Sequence, residues 1–179
     1  LLYGEIHSAT ANGLNNLASA YSDLAEYETS LKLYRQALDI WKEIYGETHI
    51  SVGDVYNNLA TVYFKLGKYD QADIYQKKAM EIFRNVYGEM HSAVGLAYEN
   101  MGSIGVELGQ DQDALNYYDR AISIYKTIYG DIHSKTANVY DKIGQIYFKH
   151  KMFDDAEAFM SEAKSIRVAC LGKTHIDVA

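Results

Sequence analysis

The sequence predicts an all-α solenoid of stacked antiparallel helix pairs, and three observations indicate this fold class. A hexapeptide recurs as YGEIHS, YGETHI, YGEMHS, YGDIHS and LGKTHI, starting at residues 3, 45, 87, 129 and 171, which are 42 positions apart. Apolar residues between these hexapeptides follow helical spacing. The 179-residue chain contains no proline, a residue that breaks helix interiors. Self-similarity at a fixed period of this length is typical of stacked supersecondary units.

Each repeat contains two predicted helices. In the first repeat, small and apolar residues recur at helical spacing over 9–25, and a second apolar stripe follows over 30–45. The connection between the stripes is short, which predicts an antiparallel hairpin. The sequence therefore predicts one domain over residues 1–179, made of four full repeats and the start of a fifth. The predicted boundaries are 3–44, 45–86, 87–128 and 129–170, with the partial repeat at 171–179.

Small residues stand at equivalent positions of successive repeats, where they let neighbouring helices approach closely. One such column contains Ala18, Ala60, Gly102 and Gly144. Most of the 17 tyrosines are expected to pack beside these columns. The third repeat carries Gly95, Gly102 and Gly105 in one predicted helix, and each glycine costs about 1 kcal/mol of helix propensity. Residues 93–108 are therefore predicted to form the least stable full helix.

The hexapeptides place one histidine in each repeat, at His7, His49, His91, His133 and His175. Equivalent points of stacked helix pairs lie about 8–10 Å apart, whereas zinc needs its nitrogen ligands about 2.0–2.1 Å from one centre. Neither a metal site nor a catalytic row is therefore expected. Instead, each hexapeptide glycine is expected to end a helix as a left-handed cap. Each histidine is expected to hydrogen-bond the backbone where the next helix begins.

The residue after each histidine differs among the joints. Serine follows at positions 8, 92 and 134, and serine can cap the following helix. Isoleucine stands at positions 50 and 176 and has no side-chain acceptor. The sequence therefore leaves open whether the joints at Ile50 and Ile176 are less well capped than the others.

Composition and motifs exclude several classes of function. The net charge of −7 argues against nucleic-acid binding, which usually shows a basic stripe. No apolar run approaches the roughly 18 residues of a membrane span, so no membrane partner is expected. The GKT tripeptide at Gly172 lacks the upstream glycine of a phosphate loop, and neither His-Glu-x-x-His nor Cys-x-x-Cys occurs. The sequence therefore predicts no enzyme, no catalytic residue, no cofactor and no metal.

Cys170 is the only cysteine, so no internal disulfide can form, which favours a cytoplasmic protein. It stands in the column of Ile44, Val86 and Ile128 and is expected to be a small core residue. Because the sequence begins without methionine and ends inside a repeat, it is expected to be a segment of a longer protein.

Two stretches carry a family resemblance. LNNLASAYSDLAEYETSLKLYRQAL at 14–38 and YNNLATVYFKLGKYDQADIYQKKAM at 56–80 resemble tetratricopeptide repeats. The 42-residue period and the YG..H junction are similar to the long-repeat subgroup of the kinesin light chains, over essentially the whole chain. The resemblance implies a right-handed superhelical solenoid with a concave wall formed by the first helix of each pair. It also implies a non-catalytic protein–protein interaction scaffold that binds a peptide or a partner helix in this groove.

The resemblance further implies which residues line the groove. They are Asn15, Ser19, Asn57, Thr61, Phe64, Lys65, Glu99, Ser103, Asp141, Gln145 and Phe148. Asn15 and Asn57 match the asparagines with which kinesin light chains contact the main chain of extended peptides. One position later, Asn16, Asn58 and Asn100 are expected to bond to a neighbouring repeat instead.

Charge on this wall predicts the class of partner. Five acids and two lysines give a net charge of −3, from Asp23, Asp54, Glu99, Glu107 and Asp141 against Lys65 and Lys149. A neutral or basic segment is therefore favoured. No basic clamp is predicted for a C-terminal carboxylate, which Lys or Arg would supply in other repeats of this kind.

Two alternatives to a peptide-binding scaffold stay open on the sequence. The array could be a structural spacer, and end-to-end self-association is expected if its terminal apolar faces are uncapped. The same subgroup also occurs in arrays attached to signalling NTPases, so the chain could be the sensor domain of a larger enzyme.

Overall fold

The computed structural model describes residues 7–171. The first hexapeptide up to Ile6 and the predicted partial repeat from Gly172 onward, including His175 and Ile176, lie outside these residues. Within them the chain forms eight helices and no strand. These are α1 Ser8–Asp23, α2 Tyr27–Tyr45, α3 Ile50–Lys65, α4 Tyr69–Tyr87, α5 Ser92–Glu107, α6 Asp111–Tyr129, α7 Ser134–Lys149 and α8 Phe153–Leu171.

The helices pack as adjacent pairs, which confirms the predicted all-α class. α1 packs on α2, α5 on α6 and α7 on α8. The α3–α4 pair is joined by the stacked rings of Tyr63 and Tyr75, whose centroids lie 5.3 Å apart. The second helix of one pair also packs on the first helix of the next, as α2 on α3 and α6 on α7.

The chain divides into two compact units, Leu1–Val86 and Tyr87–Ala179, called here the first and second unit. The division falls between the second and third predicted repeats. The first unit contains α1 to α3 and nearly all of α4, and the second unit contains α5 to α8. Each unit therefore holds two of the predicted helix pairs.

A histidine caps the first helix of every described pair. His7, His49, His91 and His133 are the N-caps of α1, α3, α5 and α7. In each, Nδ1 accepts the backbone N–H two residues later, at 3.0 Å for His7 and 3.2 Å for the other three. The predicted hydrogen bond from histidine to the backbone is therefore confirmed.

The same geometry answers the question about isoleucine. Ser8, Ile50, Ser92 and Ser134 are the first residues of their helices, so the expectation that serine caps them is wrong. The cap is the preceding histidine, and its side chain is the same at every described joint. The side chain at position 50 does not need to accept a hydrogen bond, because His49 already does so. The helix that begins at Ile50 is therefore capped like the others.

The glycine of the joint has a conformation that few other residues adopt. Gly46 and Gly130 both have φ +83°, with ψ 172° and 178°. The positive φ is as predicted, but the extended ψ differs from a left-handed helical cap and lies in a region that is essentially restricted to glycine. The extended ψ carries the chain away from the helix axis toward the histidine cap.

At the three joints between described helix pairs, the histidine ring also stacks on the tyrosine that ends the preceding helix. The ring centroids are 4.2 Å apart for Tyr45 and His49, and 4.0 Å apart for Tyr87 and His91. Tyr129 and His133 repeat the arrangement at 4.2 Å. The joint is therefore a capped and stacked connection between helix pairs, built from the tyrosine, glycine and histidine of the hexapeptide.

Two glycines of α5 are packing sites for buried tyrosines. A Cβ on Gly102 would lie 2.4 Å from the ring of Tyr118, and a Cβ on Gly95 would lie 2.7 Å from the ring of Tyr125. Both tyrosines are almost fully buried. The absent side chains let α6 place two large rings against α5, which confirms the expected packing role of these tyrosines.

Cys170 is exposed, so the expectation that it is a core residue is wrong. Val86 and Ile128, at equivalent positions, are also largely exposed. The column lies at the end of each second helix, beyond the buried stripe that includes Leu38 and Trp41 in α2.

Candidate functional site

The residues predicted to line the groove all lie on first helices of the pairs, and they are called here the groove face. In the first unit they are Asn15 and Ser19 of α1 and Asn57, Thr61, Phe64 and Lys65 of α3. In the second unit they are Glu99 and Ser103 of α5 and Asp141, Gln145 and Phe148 of α7.

In the first unit, the two groove-face asparagines are held by internal donors. Asn58 Nδ2 donates to Asn15 Oδ1 at 3.1 Å, across adjacent repeats. Gln76 Nε2 of α4 donates to Asn57 Oδ1 at 3.3 Å. The predicted bonding of Asn58 to a neighbouring repeat is therefore confirmed. Both bonds fix the orientation of the groove-face amides.

The carboxyl-terminal part of α3 brings a cation and a ring to the same face. Lys65 Nζ donates to Ser22 Oγ at 3.1 Å and lies 3.7 Å from Asp23 Oδ1. Phe64 makes an edge-to-face contact with Tyr69, with centroids 5.4 Å apart. The lysine therefore joins α3 to α1, and the aromatic pair closes the hairpin between α3 and α4.

In the second unit, Glu99 is the centre of a hydrogen-bonded cluster. Lys142 Nζ donates to Glu99 Oε1 at 2.9 Å and to Ser103 Oγ at 3.0 Å. The hydroxyl of Tyr125 donates to Glu99 Oε2 at 3.0 Å, and that of Tyr118 lies 3.3 Å from Ser103 Oγ. The Glu99 side chain is only 13% exposed. Both carboxylate oxygens are therefore occupied by groups of the protein itself.

Burial perturbs the two tyrosines of this cluster. It raises the pKa of Tyr118 from the ordinary value of 10.0 to about 12, with a smaller contribution from the negative charge of Glu99. Burial also raises the pKa of Tyr125, and the nearby Glu99 carboxylate acts in the same direction. Both hydroxyls therefore stay protonated at neutral pH, and Tyr125 can donate its hydrogen bond to Glu99.

Asp141 is paired in a comparable way. The guanidinium Nη2 of Arg167, on α8, donates to Asp141 Oδ2 and also to Asn138 Oδ1, the latter at 3.1 Å. Arg167 occupies the position of Trp41, Phe83 and Tyr125 in the earlier repeats. At this position of the second helix, Tyr125 contacts Glu99 of α5 and Arg167 contacts Asp141 of α7.

The ion pairs correct the charge predicted for this wall. The predicted charge of −3 treats Glu99 and Asp141 as unopposed acids, but Lys142 and Arg167 neutralise them. Lys65 lies beside Asp23, and Lys149 is bound by Asp111 at 2.9 Å. With Lys142, Arg167 and Asp111 added to the count, the net charge of the wall is −2 rather than −3, so a partner would meet a smaller negative potential.

Sequence reasoning missed Lys142 and Arg167, although a signal for each was present. Lys142 stands at the position of Asn16, Asn58 and Asn100, which were expected to bond across repeats. Lys142 also bonds across repeats, but through an ion pair with Glu99 instead of a hydrogen bond between two amides. Arg167 is a charged residue in a column of buried aromatic residues, which marks it as a residue with an acidic partner.

The remaining groove-face residues are open to solvent. Ser19, Thr61, Gln145 and Phe148 are exposed, and Phe64 is partly exposed. Thr61 Oγ1 donates to the backbone oxygen of Asn57 at 3.1 Å, within its own helix. In the first unit, exposed Ser19 and Thr61 thus lie on the same helices as the amides held by internal donors, and in the second unit Gln145 and Phe148 are exposed on α7.

Residues 7–171 hold no group of three or more His, Cys, Asp and Glu side chains placed to bind a metal ion. Over the same residues, no helix has the length and apolar character that crossing a membrane needs.

Comparison with known proteins identifies the fold. The tetratricopeptide repeat family model matches three overlapping stretches, residues 9–85, 51–127 and 94–169. Together these stretches cover most of the chain. No curated protein sequence matches the chain.

Several solved structures are similar. BtubC (BKLC) from P. vanneervenii is 26% identical, with a TM-score of 0.82 over 92% of this chain and 66% of that one. Aspartyl phosphate phosphatase F from Bacillus subtilis is 22% identical, with a TM-score of 0.80 over 93% of this chain and 42% of that one. This chain thus spans less than two thirds of the length of either protein.

A third similar structure carries the kinesin light chain name. The nearly identical TPR-like repeats of a putative kinesin light chain from Podosopora anserina are 16% identical, with a TM-score of 0.76 over 95% of this chain and 80% of that one. The matched family model and the eight paired helices of residues 7–171 agree with the predicted fold class. The chain belongs to the tetratricopeptide repeat family and has the fold of kinesin light chain-like repeat arrays.

Proposed function

We propose that this chain is a non-catalytic protein–protein interaction scaffold, and that its groove face binds an extended peptide or a partner helix. Tetratricopeptide repeats serve in general as scaffolds for protein interactions, which supports the first part of the proposal. The single observation that carries the second part is that the groove face of the first unit combines exposed polar side chains with amides held in a fixed orientation. Exposed Ser19 and Thr61 lie on α1 and α3, whose Asn15 and Asn57 side chains are fixed by internal donors.

Fixed polar groups favour binding because less side-chain freedom is lost when a ligand is ordered. Asparagine carries an acceptor and two donors, so it can bond to a peptide backbone in either direction. Phe64 and Phe148 offer apolar surface for side chains that alternate along an extended segment.

The ion pairs of the groove-face acids bear on the charge of the preferred ligand. Glu99 and Asp141 are opposed by Lys142 and Arg167, so attraction of a basic segment is weaker than the sequence count implies. Of the neutral or basic segments predicted from sequence, we propose that a neutral one is favoured. We also propose that residues 1–179 form one array. The single cysteine supports a further proposal, that the protein is cytoplasmic.

The proposal is tested by selecting ligands from a phage-displayed library of random peptides on the wild-type chain. Selected peptides are then titrated by fluorescence anisotropy against the variants Thr61→Arg and Gln145→Arg. Both positions are exposed, so a long side chain there obstructs the groove face without entering the core. We expect at least about tenfold weaker binding, or ~1.4 kcal/mol, for a peptide that crosses the altered position.

Matched controls separate obstruction from added charge. Gln36→Arg on α2 and Asn116→Arg on α6 add the same group at exposed positions of second helices. Their affinities should equal that of the wild type. Equal affinity for all four variants would place the ligand elsewhere and overturn the groove-face proposal, while selection of no peptide would count against extended peptides as ligands.

A further inference from the structure

The ammonium group of Lys142 occupies a small polar site on the groove face of the second unit. Its Nζ donates to Glu99 Oε1 at 2.9 Å and to Ser103 Oγ at 3.0 Å. It also lies 6.0 Å from the centroid of the Tyr118 ring, about the distance at which a cation is still attracted to an aromatic face. Glu99, Ser103 and Tyr118, called here the cation site, therefore offer one cation a carboxylate, a hydroxyl acceptor and an aromatic ring.

The cation site is held in shape by groups other than the lysine. Tyr125 donates to Glu99 Oε2 at 3.0 Å, and Ser103 Oγ donates to the backbone oxygen of Glu99 at 3.2 Å. The Tyr118 side chain is only 2% exposed. The three site residues come from α5 and α6, whereas the cation comes from α7. The site is therefore expected to keep its shape when the cation leaves.

Neighbouring repeats can make the same contact without a charge. In the first unit, Asn58 and Asn15 stand at the positions equivalent to Lys142 and Glu99. Asn58 Nδ2 donates to Asn15 Oδ1 at 3.1 Å, and both contacts join residues 43 positions apart. A neutral pair therefore suffices to connect two repeats at this point, and the ion pair is not required for the connection.

The ion pair differs from the amide pair in what remains when the donor leaves. The Glu99 side chain is 13% exposed, so its carboxylate is costly to leave without an opposing charge. The Lys142 side chain is 33% exposed, so it can leave the site without unfolding of α7. A lysine of a partner that took its place would meet the same carboxylate, hydroxyl and ring.

We propose that the cation site binds a primary ammonium group, that Lys142 occupies it as an internal ligand, and that Lys142 thereby keeps lysine side chains of a partner off this part of the groove face. The exclusion of partner lysines rests on the proposed peptide binding, whereas the occupancy of the site by an ammonium group does not. Lys142 is thus the residue that makes the second unit favour neutral ligands.

The occupancy is tested by chemical rescue of Lys142→Ala. Propylammonium has the three carbons and the nitrogen that this substitution removes, and binding to the folded chain raises its melting temperature. Propylammonium chloride should therefore raise the melting temperature of the variant more than equal concentrations of sodium chloride or of 1-propanol. The wild type, whose site is filled, should respond to propylammonium only as it does to sodium chloride.

A matched double variant identifies the carboxylate as the group that binds. Glu99→Gln combined with Lys142→Ala removes the charge of the site, so the extra stabilisation by propylammonium should be lost. In nitrogen-15 correlation spectra of Lys142→Ala, propylammonium should shift the amide signals of α5 around Glu99 and Ser103 most. Lys142→Asn carries the residue type of Asn58 and is titrated in parallel with the smaller methylammonium, so the test does not depend on the folding of one variant.

The exclusion of partner lysines is tested by peptide selection on the wild type and on Lys142→Asn. Peptides selected on the variant should be richer in lysine, and a lysine-containing peptide should bind it at least about tenfold more tightly than the wild type. Lys149→Asn removes an equal charge from the same helix, where the lysine is bound by Asp111, and should leave the preference unchanged.

Two results would overturn the inference. Propylammonium and methylammonium could stabilise the Lys142 variants no more than sodium chloride, or the double variant could respond as strongly as Lys142→Ala. Equal affinity of the lysine-containing peptide for the wild type and Lys142→Asn would overturn the exclusion of partner lysines. Selection of no peptide on either chain would count against the proposed peptide binding, and the ammonium titrations would still decide the occupancy of the cation site.

Discussion

At the scale of single residues, the histidine at each of the three joints between described helix pairs has two contacts that together define the joint. Its Nδ1 accepts a backbone N–H at the start of a helix, and its ring stacks on the tyrosine that ends the preceding helix. An N-cap contributes about 1 kcal/mol, and an aromatic pair about 0.5–1.5 kcal/mol beyond its buried area. The repetition of histidine is therefore explained by helix capping and stacking.

Replacing one histidine separates these two contributions. His91→Ala removes both the cap and the stacked ring, and we expect a loss of about 1–2 kcal/mol in the free energy of unfolding. His91→Asn restores a good cap without the ring and should recover about half of that loss. Urea denaturation followed by circular dichroism measures both. An unfolding free energy for His91→Ala within experimental error of the wild type would contradict the capping role.

The buried tyrosine Tyr118 predicts a loss of stability in alkaline solution. Its pKa is raised from 10.0 to about 12 in the folded chain, so the unfolded chain loses this proton first as the pH rises. The stabilisation that this raised pKa gives the folded chain is complete below pH 10.0. It is lost as the pH approaches about 12, and the free energy of unfolding then falls by about 2–3 kcal/mol.

Tyr118→Phe removes this titration but leaves that of Tyr125. Unfolding free energies of the variant and the wild type, measured from pH 8 to pH 12, should therefore converge as the pH rises. Parallel curves for the two proteins would show that Tyr118 titrates alike in the folded and unfolded states, contrary to its burial.

At the scale of single helices, glycine has opposite effects in α1 and α5. Nothing lies within 4 Å of a Cβ added at Gly13, whereas one added at Gly102 meets the buried ring of Tyr118 at 2.4 Å. Gly13→Ala should stabilise the chain by about 0.5–1 kcal/mol through helix propensity. Gly102→Ala should destabilise it by about 1–3 kcal/mol, because the buried ring must move.

Thermal unfolding of both variants beside the wild type measures this difference. The two glycines are alike in local sequence propensity, so only their surroundings distinguish them. A stabilising effect of Gly102→Ala would show that α6 can shift away from α5 at little cost, and would contradict the packing described for Tyr118.

Low helix propensity still predicts that α5 opens more readily than α3. Gly95, Gly102 and Gly105 all lie in α5, whereas α3 contains Gly53 alone. Native-state hydrogen exchange should therefore show lower protection over residues 93–108 than over 51–66. Equal protection would mean that the tyrosines packed against Gly95 and Gly102 offset the entropic cost of the glycines.

At the scale of the whole molecule, the sequence predicted the helix pairs because their signals are periodic. The 42-residue repeat, the absence of proline and the apolar stripes all depend on spacing alone. Groove-face positions could also be predicted, since equivalent residues occupy equivalent places on first helices.

The partners of those residues were harder to predict because they come from other helices. Lys142 reaches Glu99 from 43 residues away, and Arg167 reaches Asp141 from the second helix of the same pair. A count of charges treats each acid as free, whereas the fold pairs it. The choice of cap was hard to predict for a similar reason, since residue type makes serine a candidate while the helix boundary selects His91 and its equivalents.

The claim that ligands bind along first helices is tested most directly by photo-cross-linking. A peptide selected on the wild-type chain carries a benzophenone group, is irradiated in the complex, and the attachment sites are mapped by mass spectrometry. Cross-links are expected on α1, α3, α5 or α7, near Ser19, Thr61, Ser103 or Gln145. Cross-links confined to α2, α4, α6 and α8 would contradict it.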